Sequence, residues 1–200
     1  MRVNLEVLRK QRLPPELMDN LLRNNERASR LVAQLLRLMR SDAAEELQPD
    51  TAVALDRLLQ ERLAQYEGIA RQQCVELVLE ACCAVCVMGR LESLESLIDN
   101  LVDNAVKYSP RGGVVSVRLT ASAGRARMEF CDQGPGIDAQ WRERVFDRFF
   151  RMPDQLQSGS GLGLAIVRSA VLRHAGQVEL VDVDGGAGLC VRVDLPSLQR

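Results

Sequence analysis

The chain has 200 residues, of which 46% are hydrophobic and 26% are charged, and its formal net charge at pH 7 is −1. This composition is typical of a globular protein and excludes a disordered or fibrous chain. The near-neutral charge argues against nucleic-acid binding, and the absence of an apolar run of roughly 18 residues argues against a membrane span.

The N-terminal part of the chain has a helical pattern. Glycine is absent before Gly68, and apolar residues recur at spacings of three and four over residues 15–40, which predicts a long helix there. Two prolines at its start separate it from a shorter predicted helix over about residues 2–11. We therefore expect residues 1–45 to form an antiparallel helical hairpin that pairs with a second copy in a homodimeric four-helix bundle.

Residues 46–200 alternate between helical and strand-like patterns. A helical period covers residues 52–71, 91–108 and 162–174. Apolar or alternating runs predict strands over residues 74–79, 84–88, 114–121, 125–131, 177–183 and 189–195. Strands outnumber helices and lie mostly in adjacent pairs, so we expect an α+β domain, a two-layer α/β sandwich with helices on one face of a mixed sheet.

Three of the six cysteines, at positions 82, 83 and 86, are spaced like ligands of a metal. A tetrahedral zinc site needs further cysteines or histidines, and the single histidine, His174, is distant in the sequence. We therefore expect the cysteines to act as small hydrophobic side chains and His174 to be structural. The first residues show no signal-peptide pattern, so we expect reduced thiols in a cytoplasmic compartment.

The helix predicted over residues 91–108 has a polar margin beside its apolar stripe. At about 100° per residue, Asn100, Asn104 and Lys107 fall within an arc of roughly 60°. Asparagine is a poor helix former, and two such side chains beside a core need hydrogen-bond partners. These residues are therefore either surface residues of an ordinary helix or the polar edge of a binding site.

A turn with two glycines follows the strand predicted over residues 125–131. The run is Asp132-Gln133-Gly134-Pro135-Gly136-Ile137, and its glycines let the backbone approach a ligand closely. A carboxylate at the strand end accepts a hydrogen bond from an exocyclic amine such as that of adenine, whereas the carbonyl of guanine is repelled. Such runs also form plain surface turns, so this motif alone leaves both interpretations open.

A second glycine-rich run, Gly159-Ser160-Gly161-Leu162-Gly163, opens the helix predicted over residues 162–174. Backbone N–H groups at a helix N-terminus form a phosphate cradle, and a flexible loop is the alternative. Between the two runs lies Phe146–Arg151, which contains three of the four phenylalanines. This segment is either a hydrophobic plug or a lid over a nucleotide, hinged at the glycines.

Taken in order, these four blocks resemble the ATP-binding domain shared by sensor histidine kinases, gyrase-type topoisomerases, the Hsp90 chaperone and mismatch-repair ATPases. They correspond to the N box, the first glycine box, the Phe box and the second glycine box, at Asn100–Tyr108, Asp132–Ile137, Phe146–Arg151 and Gly159–Leu164. The N box is most similar to that of bacterial sensor histidine kinases, because Asn100 stands where hydrolytic relatives carry a glutamate that activates water. The resemblance covers about residues 52–197, and Asn25–Leu36 resembles the second helix of the kinase dimerisation hairpin.

The resemblance implies a set of contacts to phosphate and metal. Asn104, assisted by Asn100, would coordinate a Mg²⁺ ion that bridges the phosphates of ATP, since magnesium prefers oxygen ligands. Lys107 would contact phosphate as a point charge, and Arg148 is the candidate for contacting the γ-phosphate, ahead of Arg151. The second glycine box would hold phosphates through Ser160, Gly161, Leu162 and Gly163.

The same resemblance implies an adenine pocket around the first glycine box. Asp132 would accept a hydrogen bond from the adenine amine, and Tyr108 would pack along the ring. The pocket would be shaped by Gly134, Gly136 and Ile137. Phosphoryl transfer in such a site depends on positioning and charge neutralisation more than on covalent help.

The chain departs from the family pattern because no histidine followed by an acidic residue is present to accept the phosphoryl group. We therefore expect this chain to be a C-terminal piece of a longer kinase, which binds Mg-ATP but does not phosphorylate itself. The phosphoryl group would be transferred to a histidine outside this chain and from there to an aspartate of a response regulator. This piece would be cytoplasmic, and the longer protein would lie in the bacterial inner membrane. The alternatives are a non-catalytic dimerisation or regulatory module with a decayed pocket, and an ATPase or serine kinase of the same superfamily.

Overall fold

The structure is a computed structural model that describes residues 49–153, 157, 159–183 and 187–198. The hairpin predicted over residues 1–45, and with it the predicted homodimer, lies outside these residues. In the described part, the strands are β1 Thr51–Ala54, β2 Glu76–Cys82, β3 Cys86–Gly89, β4 Val114–Ser122, β5 Arg125–Cys131, β6 Gln177–Asp182 and β7 Leu189–Pro196. The helices there are α1 Leu55–Gln72, α2 Leu91–Tyr108 and α3 Gly163–Arg173, with short 3₁₀ turns at Ala139–Trp141 and Arg144–Phe146.

Five strands form one mixed sheet in the order β2-β4-β5-β7-β6, and β1 pairs with β3 in a separate ribbon. β2 runs parallel to β4, whereas the remaining neighbours are antiparallel. The turn between β4 and β5 contains Ala123 and Gly124, with φ values of 49° and 72°, as the favoured two-residue hairpin turn requires. The predicted α+β fold with a mixed sheet is therefore confirmed.

The core lies between the sheet and the helices. Alternate residues of β4 point into it, and the buried ones are Val115, Val117 and Leu119. The apolar stripe predicted on α2 is buried as well, through Leu94, Leu97, Ile98, Leu101 and Ala105. Burial of this stripe fixes the rotation of α2 about its axis, so its polar margin is held in one orientation.

Two predicted boundaries are wrong for reasons that lie in the backbone. The strand predicted from residue 74 begins at Glu76, because Cys74 has a φ of 57° and lies in the turn after α1. The residues predicted as the start of the helix over 52–71 instead form β1. This strand has only four residues, which are too few for a periodic pattern to reveal it.

The structure joins Cys131 and Cys190 in a disulfide, with their Cα atoms 3.9 Å apart. The prediction of reduced thiols is wrong for this pair, because the two residues are directly opposed in β5 and β7 although 59 residues separate them along the chain. The free cysteines are Cys74, Cys82, Cys83 and Cys86.

Neither a metal cluster nor a membrane helix is found in the part of the chain that the structure describes. Within these ranges, no group of three or more His, Cys, Asp or Glu residues could hold a metal ion. No helix among the same residues combines the length and the apolar character that a bilayer crossing requires.

Candidate functional site

The polar margin of α2 meets the first turn of α3. A Cβ added at Gly163 would lie 3.3 Å from both Asn100 Oδ1 and Asn104 Nδ2. Asn100 Nδ2 donates a hydrogen bond to Ser96 O at 2.7 Å, which leaves Asn100 Oδ1 on the side of Gly163. The structure therefore brings together three residues that the sequence predicts for one site.

The two carboxamides place oxygen atoms at the positive end of α3. Both Asn100 and Asn104 are half-buried, so their amide groups are partly shielded from water. A helix N-terminus attracts anions through its N–H groups and its dipole, and amide oxygens are suitable ligands for Mg²⁺. The donor set therefore fits a magnesium ion held beside a phosphate group.

Lys107 reaches the second glycine box from the last turn of α2. A Cβ added at Gly159 would lie 2.6 Å from Lys107 Nζ, so the ammonium group lies directly against this loop. Nζ also donates to the Tyr108 hydroxyl at 3.3 Å and lies 4.7 Å from the centroid of the Tyr108 ring. The lysine thus places a compact positive charge beside the loop that precedes α3.

Asp132 is the buried acid of the site. It follows β5, and only 6% of its surface is exposed. Oδ1 accepts hydrogen bonds from the backbone N–H of Gly134 at 2.8 Å and of Leu189 at 3.3 Å. Burial raises the pKa of Asp132 to about 6, and these two hydrogen bonds oppose the increase. Because both bonds use Oδ1, Oδ2 is the oxygen that remains to accept a bond from a ligand.

The first glycine box packs against the end of α2. A Cβ added at Gly134 would lie 2.6 Å from Tyr108 O and 2.9 Å from Asp132 Oδ1, so only glycine fits without displacing backbone. Gly136 has a φ of 73°, and a Cβ there would lie 3.1 Å from Gly188 O. The predicted adenine-pocket residues are therefore close to the N box in space.

Three residues that sequence reasoning missed complete this side of the site. A Cβ added at Gly188 would lie 2.3 Å from Asp132 O, and the next residue, Leu189, donates to the Asp132 carboxylate. Arg142 Nε donates to Ile137 O at 3.0 Å and so holds the end of the first glycine box. The only signal in the sequence was Gly188, which directly precedes the strand predicted over residues 189–195. A glycine in this position does not reveal which strand pairs with the one that follows it.

The Phe box and the second glycine box are joined through their backbones. Phe149 N donates to Gly161 O at 2.9 Å, and a Cβ added at Gly161, whose φ is 70°, would lie 2.7 Å from Phe149 C and from Phe150 O. Phe149 has a φ of 66°, which is rare for a bulky side chain, and 60% of its surface is exposed. Strained backbone of this kind is concentrated at functional loops.

Arg144, a further residue that sequence reasoning missed, organises the aromatic side of this segment. Its guanidinium carbon lies 5.5 Å from the ring centroid of Trp141 and 4.5 Å from that of Phe150. Arg168 of α3 lies 5.9 Å from the ring centroid of Phe146. Cation–π contacts of this kind hold the segment together and against α3.

The two arginines predicted to contact the γ-phosphate differ in their surroundings. Arg148 is exposed in the middle of the Phe box. Arg151 Nη2 donates to Gln157 O at 2.6 Å, a contact within the following loop. Arg148 therefore lies on the exposed surface of the Phe box, whereas Arg151 is hydrogen-bonded within its own loop.

The start of α3 contains both polar and buried members of the second glycine box. Ser160 Oγ accepts a hydrogen bond from Leu162 N at 3.3 Å. The side chain of Leu162 is fully buried, so it belongs to the core. Any contact that Leu162 makes with phosphate must therefore come from its backbone.

Comparison with known proteins identifies the family of this chain. A family model described as "Histidine kinase-, DNA gyrase B-, and HSP90-like ATPase" matches residues 89–199. Sensor protein QseC of Escherichia coli K12 is 39% identical over 163 residues, which cover 80% of this chain and 35% of that protein. The solved structure of the mycobacterial sensor histidine kinase MprB has a TM-score of 0.67 and 35% identity, over 76% of this chain and 99% of that one.

A more distant solved structure has the same fold. The structure of full-length ShkA in complex with AMPPNP has a TM-score of 0.78 at 24% identity, and the match covers 92% of this chain and 39% of that one. At this identity the likeness concerns the fold alone.

The family model covers more than half of the chain, which therefore belongs to the histidine kinase-, DNA gyrase B- and HSP90-like ATPase family. Within that family the chain carries the ATP-binding catalytic region of sensor histidine kinases. The predicted resemblance is confirmed at both levels. The chain spans 35% to 42% of the length of the curated relatives it matches.

Proposed function

We propose that this chain binds Mg-ATP with the residues described above and directs the γ-phosphoryl group to a histidine in two-component signalling. The observation that carries the proposal is that both glycine boxes meet the N box on α2, while the Phe box meets the second glycine box. Gly163 lies against Asn100 and Asn104, and Gly134 lies against Tyr108. Phe149 of the Phe box is hydrogen-bonded to Gly161 of the second glycine box, which supports a single site built from all four blocks.

Asp132 would select adenine in this site. A carboxyl group with a pKa of about 6 is mostly ionised at neutral pH, so its Oδ2 accepts a hydrogen bond from the exocyclic amine of adenine. The carbonyl oxygen of guanine at the same position would face a carboxylate without a proton to share. Tyr108, Gly134, Gly136 and Ile137 would form the remaining pocket surface.

The residues of the N box fit a magnesium ion, which would supply neutralisation of the phosphate charges of ATP. Asn104, assisted by Asn100, would hold the ion through amide oxygens. Lys107 would add a positive charge from the glycine-loop side. Further phosphate contacts would come from Ser160, Gly161, Leu162 and Gly163 at the start of α3.

The chemistry of position 100 favours phosphoryl transfer over hydrolysis. The carboxamide of Asn100 cannot take a proton from water, and its Nδ2 is bonded to Ser96 O. This position therefore holds no general base that would activate water. Arg148 is the candidate for contacting the γ-phosphate during transfer, with Arg151 as the second choice.

The phosphoryl acceptor we propose is a histidine other than His174, the only histidine of this chain. Arg90 N donates to His174 Nε2 at 3.3 Å, so Nδ1 carries the proton that faces Ala170 O at 2.7 Å. The residue is only 8% exposed, and both ring nitrogens have partners. His174 therefore has a structural role.

The relatives support a wider proposal about the whole protein. We propose that a longer protein, dimeric through the helical hairpin and located in the bacterial inner membrane, supplies the acceptor histidine. A response-regulator aspartate would then receive the phosphoryl group. Support for this part of the proposal comes from the likeness to sensor histidine kinases.

Calorimetric titration with Mg-ATP tests the nucleotide assignment. We expect the wild-type protein to bind, and Asn104→Ala to lose the Mg²⁺-dependent part of the affinity because one amide oxygen ligand is removed. Glu92→Ala, at an exposed position of the same helix, is the matched control and binds like the wild type. Full Mg²⁺ dependence in Asn104→Ala contradicts the ligand assignment, and absence of heat with the wild type favours a decayed pocket.

Incubation with ATP labelled at the γ-phosphate separates the kinase from its alternatives. We expect no acid-labile, base-stable label on this chain, because His174 is buried. Steady release of ADP in the absence of a partner protein would favour an ATPase. Label on the chain itself would show that the acceptor assignment is wrong.

A further inference from the structure

The cross-strand cysteine pair adjoins the adenine side of the site. Asp132 directly follows Cys131, and Leu189 directly precedes Cys190. Asp132 N donates to Leu189 O at 2.8 Å, and Leu189 N donates to the Asp132 carboxylate at 3.3 Å. The disulfide therefore joins two strand ends whose neighbouring residues are the buried acid and one of its hydrogen-bond donors.

The cysteine pair lies where β5 and β7 are paired, so the distance between these two strands near the site is sensitive to the disulfide. Cys131 and Cys190 are directly opposed in antiparallel strands. The neighbouring pair, Asp132 and Leu189, shares a backbone hydrogen bond, so the cysteines occupy the narrow, non-hydrogen-bonded position. Tight backbone contact continues beyond them, since a Cβ added at Gly188 would lie 2.3 Å from Asp132 O.

The two bridged cysteines differ in exposure. Cys131 is half-buried, whereas Cys190 is only 7% exposed. We therefore take Cys131 as the side from which a small thiol approaches the bridge. A half-buried disulfide beside a ligand site can be reduced without unfolding of the whole domain.

We infer that Cys131 and Cys190 form a thiol–disulfide exchange site that sets the affinity of the adenine pocket, with a dithiol reductant as its reaction partner. The inference rests on the proposed role of Asp132 in binding ATP. A thiolate of the reductant attacks Cys131 Sγ, the disulfide bond breaks, and Cys190 leaves as a thiolate that takes up a proton. The second thiol of the reductant then displaces Cys131 and closes a disulfide in the reductant, so the protein gains two electrons and two protons.

Reduction changes the support of the Asp132 carboxylate. With the bridge open, only noncovalent contacts hold the end of β5 against the start of β7. The bond from Leu189 N to the carboxylate, already 3.3 Å long, is then the first to lengthen, and part of the preorganisation for adenine is lost. We expect the affinity for Mg-ATP to fall about fivefold on reduction.

The test measures Mg-ATP affinity by calorimetry, before and after treatment with dithiothreitol, together with the number of thiols that react in denaturant. We expect four of the six cysteines to react before reduction, and six after it. Cys131→Ser should bind as weakly as the reduced wild type under both conditions. Cys74→Ser, which changes an exposed free cysteine, is the matched control and keeps the wild-type response.

Several results would overturn the inference. The first is an equal affinity for Mg-ATP before and after full reduction, and the second is binding of Mg-ATP by Cys131→Ser as tight as that of the oxidised wild type. The third is a count of six reactive thiols in protein that was purified without reductant and treated with an oxidant. Failure of the proposed function gives a different result. In that case neither redox state binds Mg-ATP although the number of reactive thiols still changes on reduction, and both proposals are then wrong. If Cys131→Ser does not fold, the comparison of the oxidised and the reduced wild type is sufficient to test the inference.

Discussion

The part of the site that we propose for adenine and the part that we propose for phosphate, called below the adenine side and the phosphate side, are built in different ways. On the adenine side, Asp132 is buried at the end of a sheet strand, bonded to Leu189 and flanked by a disulfide. On the phosphate side, Gly161 and Phe149 meet through their backbones at positive φ, and Phe149 is exposed. The difference is consistent with the proposed roles, because recognition of a base needs a fixed donor–acceptor geometry, whereas a loop over phosphates has to let them enter and leave.

Gly188→Ala has the largest expected effect, because it breaks the adenine side at the backbone. The added Cβ would lie 2.3 Å from Asp132 O, and the φ of Gly188 is 136°. We expect a loss of about 3 kcal/mol or more in the free energy of unfolding, with loss of Mg-ATP binding. Denaturant titration and calorimetry measure the two quantities.

Gly68→Ala is the matched control for that substitution. A Cβ at Gly68 meets nothing within 4 Å, and the residue lies inside α1. Alanine there raises helix propensity and should add up to about 1 kcal/mol to the free energy of unfolding. A Gly188→Ala protein that is as stable as the wild type and binds Mg-ATP would contradict the described contact between the strand ends.

Lowering the pH should weaken binding from the adenine side. The pKa of Asp132 is about 6, so at pH 5 only about one tenth of the carboxyl groups are ionised. The protonated form no longer offers a full acceptor to adenine, and we expect an approximately tenfold loss of Mg-ATP affinity between pH 7 and pH 5. Calorimetry over this range measures the change.

Two variants isolate the contribution of Asp132 to that profile. Asp132→Asn should bind weakly at every pH and retain only the pH dependence that comes from the titration of ATP itself. Asp138→Asn, which changes an exposed aspartate, should follow the wild type. Parallel profiles for the wild type and Asp132→Asn would show that the carboxylate does not contact the base.

Gly161→Ala has the smallest expected effect and concerns the phosphate side. The Cβ would lie 2.7 Å from the Phe149 backbone, at a φ of 70°, so the contact between the Phe box and the second glycine box must shift. We expect about fivefold weaker Mg-ATP binding, with a loss of stability of about 1 kcal/mol. A loss of stability as large as that of Gly188→Ala would remove the distinction between the two sides.

The sequence was sufficient to predict the features that depend on local pattern. The apolar stripe of α2 predicted its bounds, and the structure has the same helix at Leu91–Tyr108. The same periodicity placed Asn100 and Asn104 on one margin, and both lie against Gly163. The contacts of these residues with ATP and Mg²⁺ remain predictions.

Features that depend on which strands become neighbours could not be predicted in this way. The disulfide joins residues 59 positions apart, and its existence depends on the pairing of β5 with β7. The contact of Gly188 with Asp132 depends on the same pairing. Arg144 was missed because an arginine gains its aromatic partners, Trp141 and Phe150, only when the loop folds.

Trp141 is the only tryptophan of the chain, and it lies beside the Phe box with its ring centroid 5.6 Å from that of Phe150. All indole fluorescence of this protein therefore originates at the edge of the Phe box. A change in emission on adding nucleotide would report the displacement of this edge in real time, without an attached dye. The chain thus contains its own optical probe of the phosphate side.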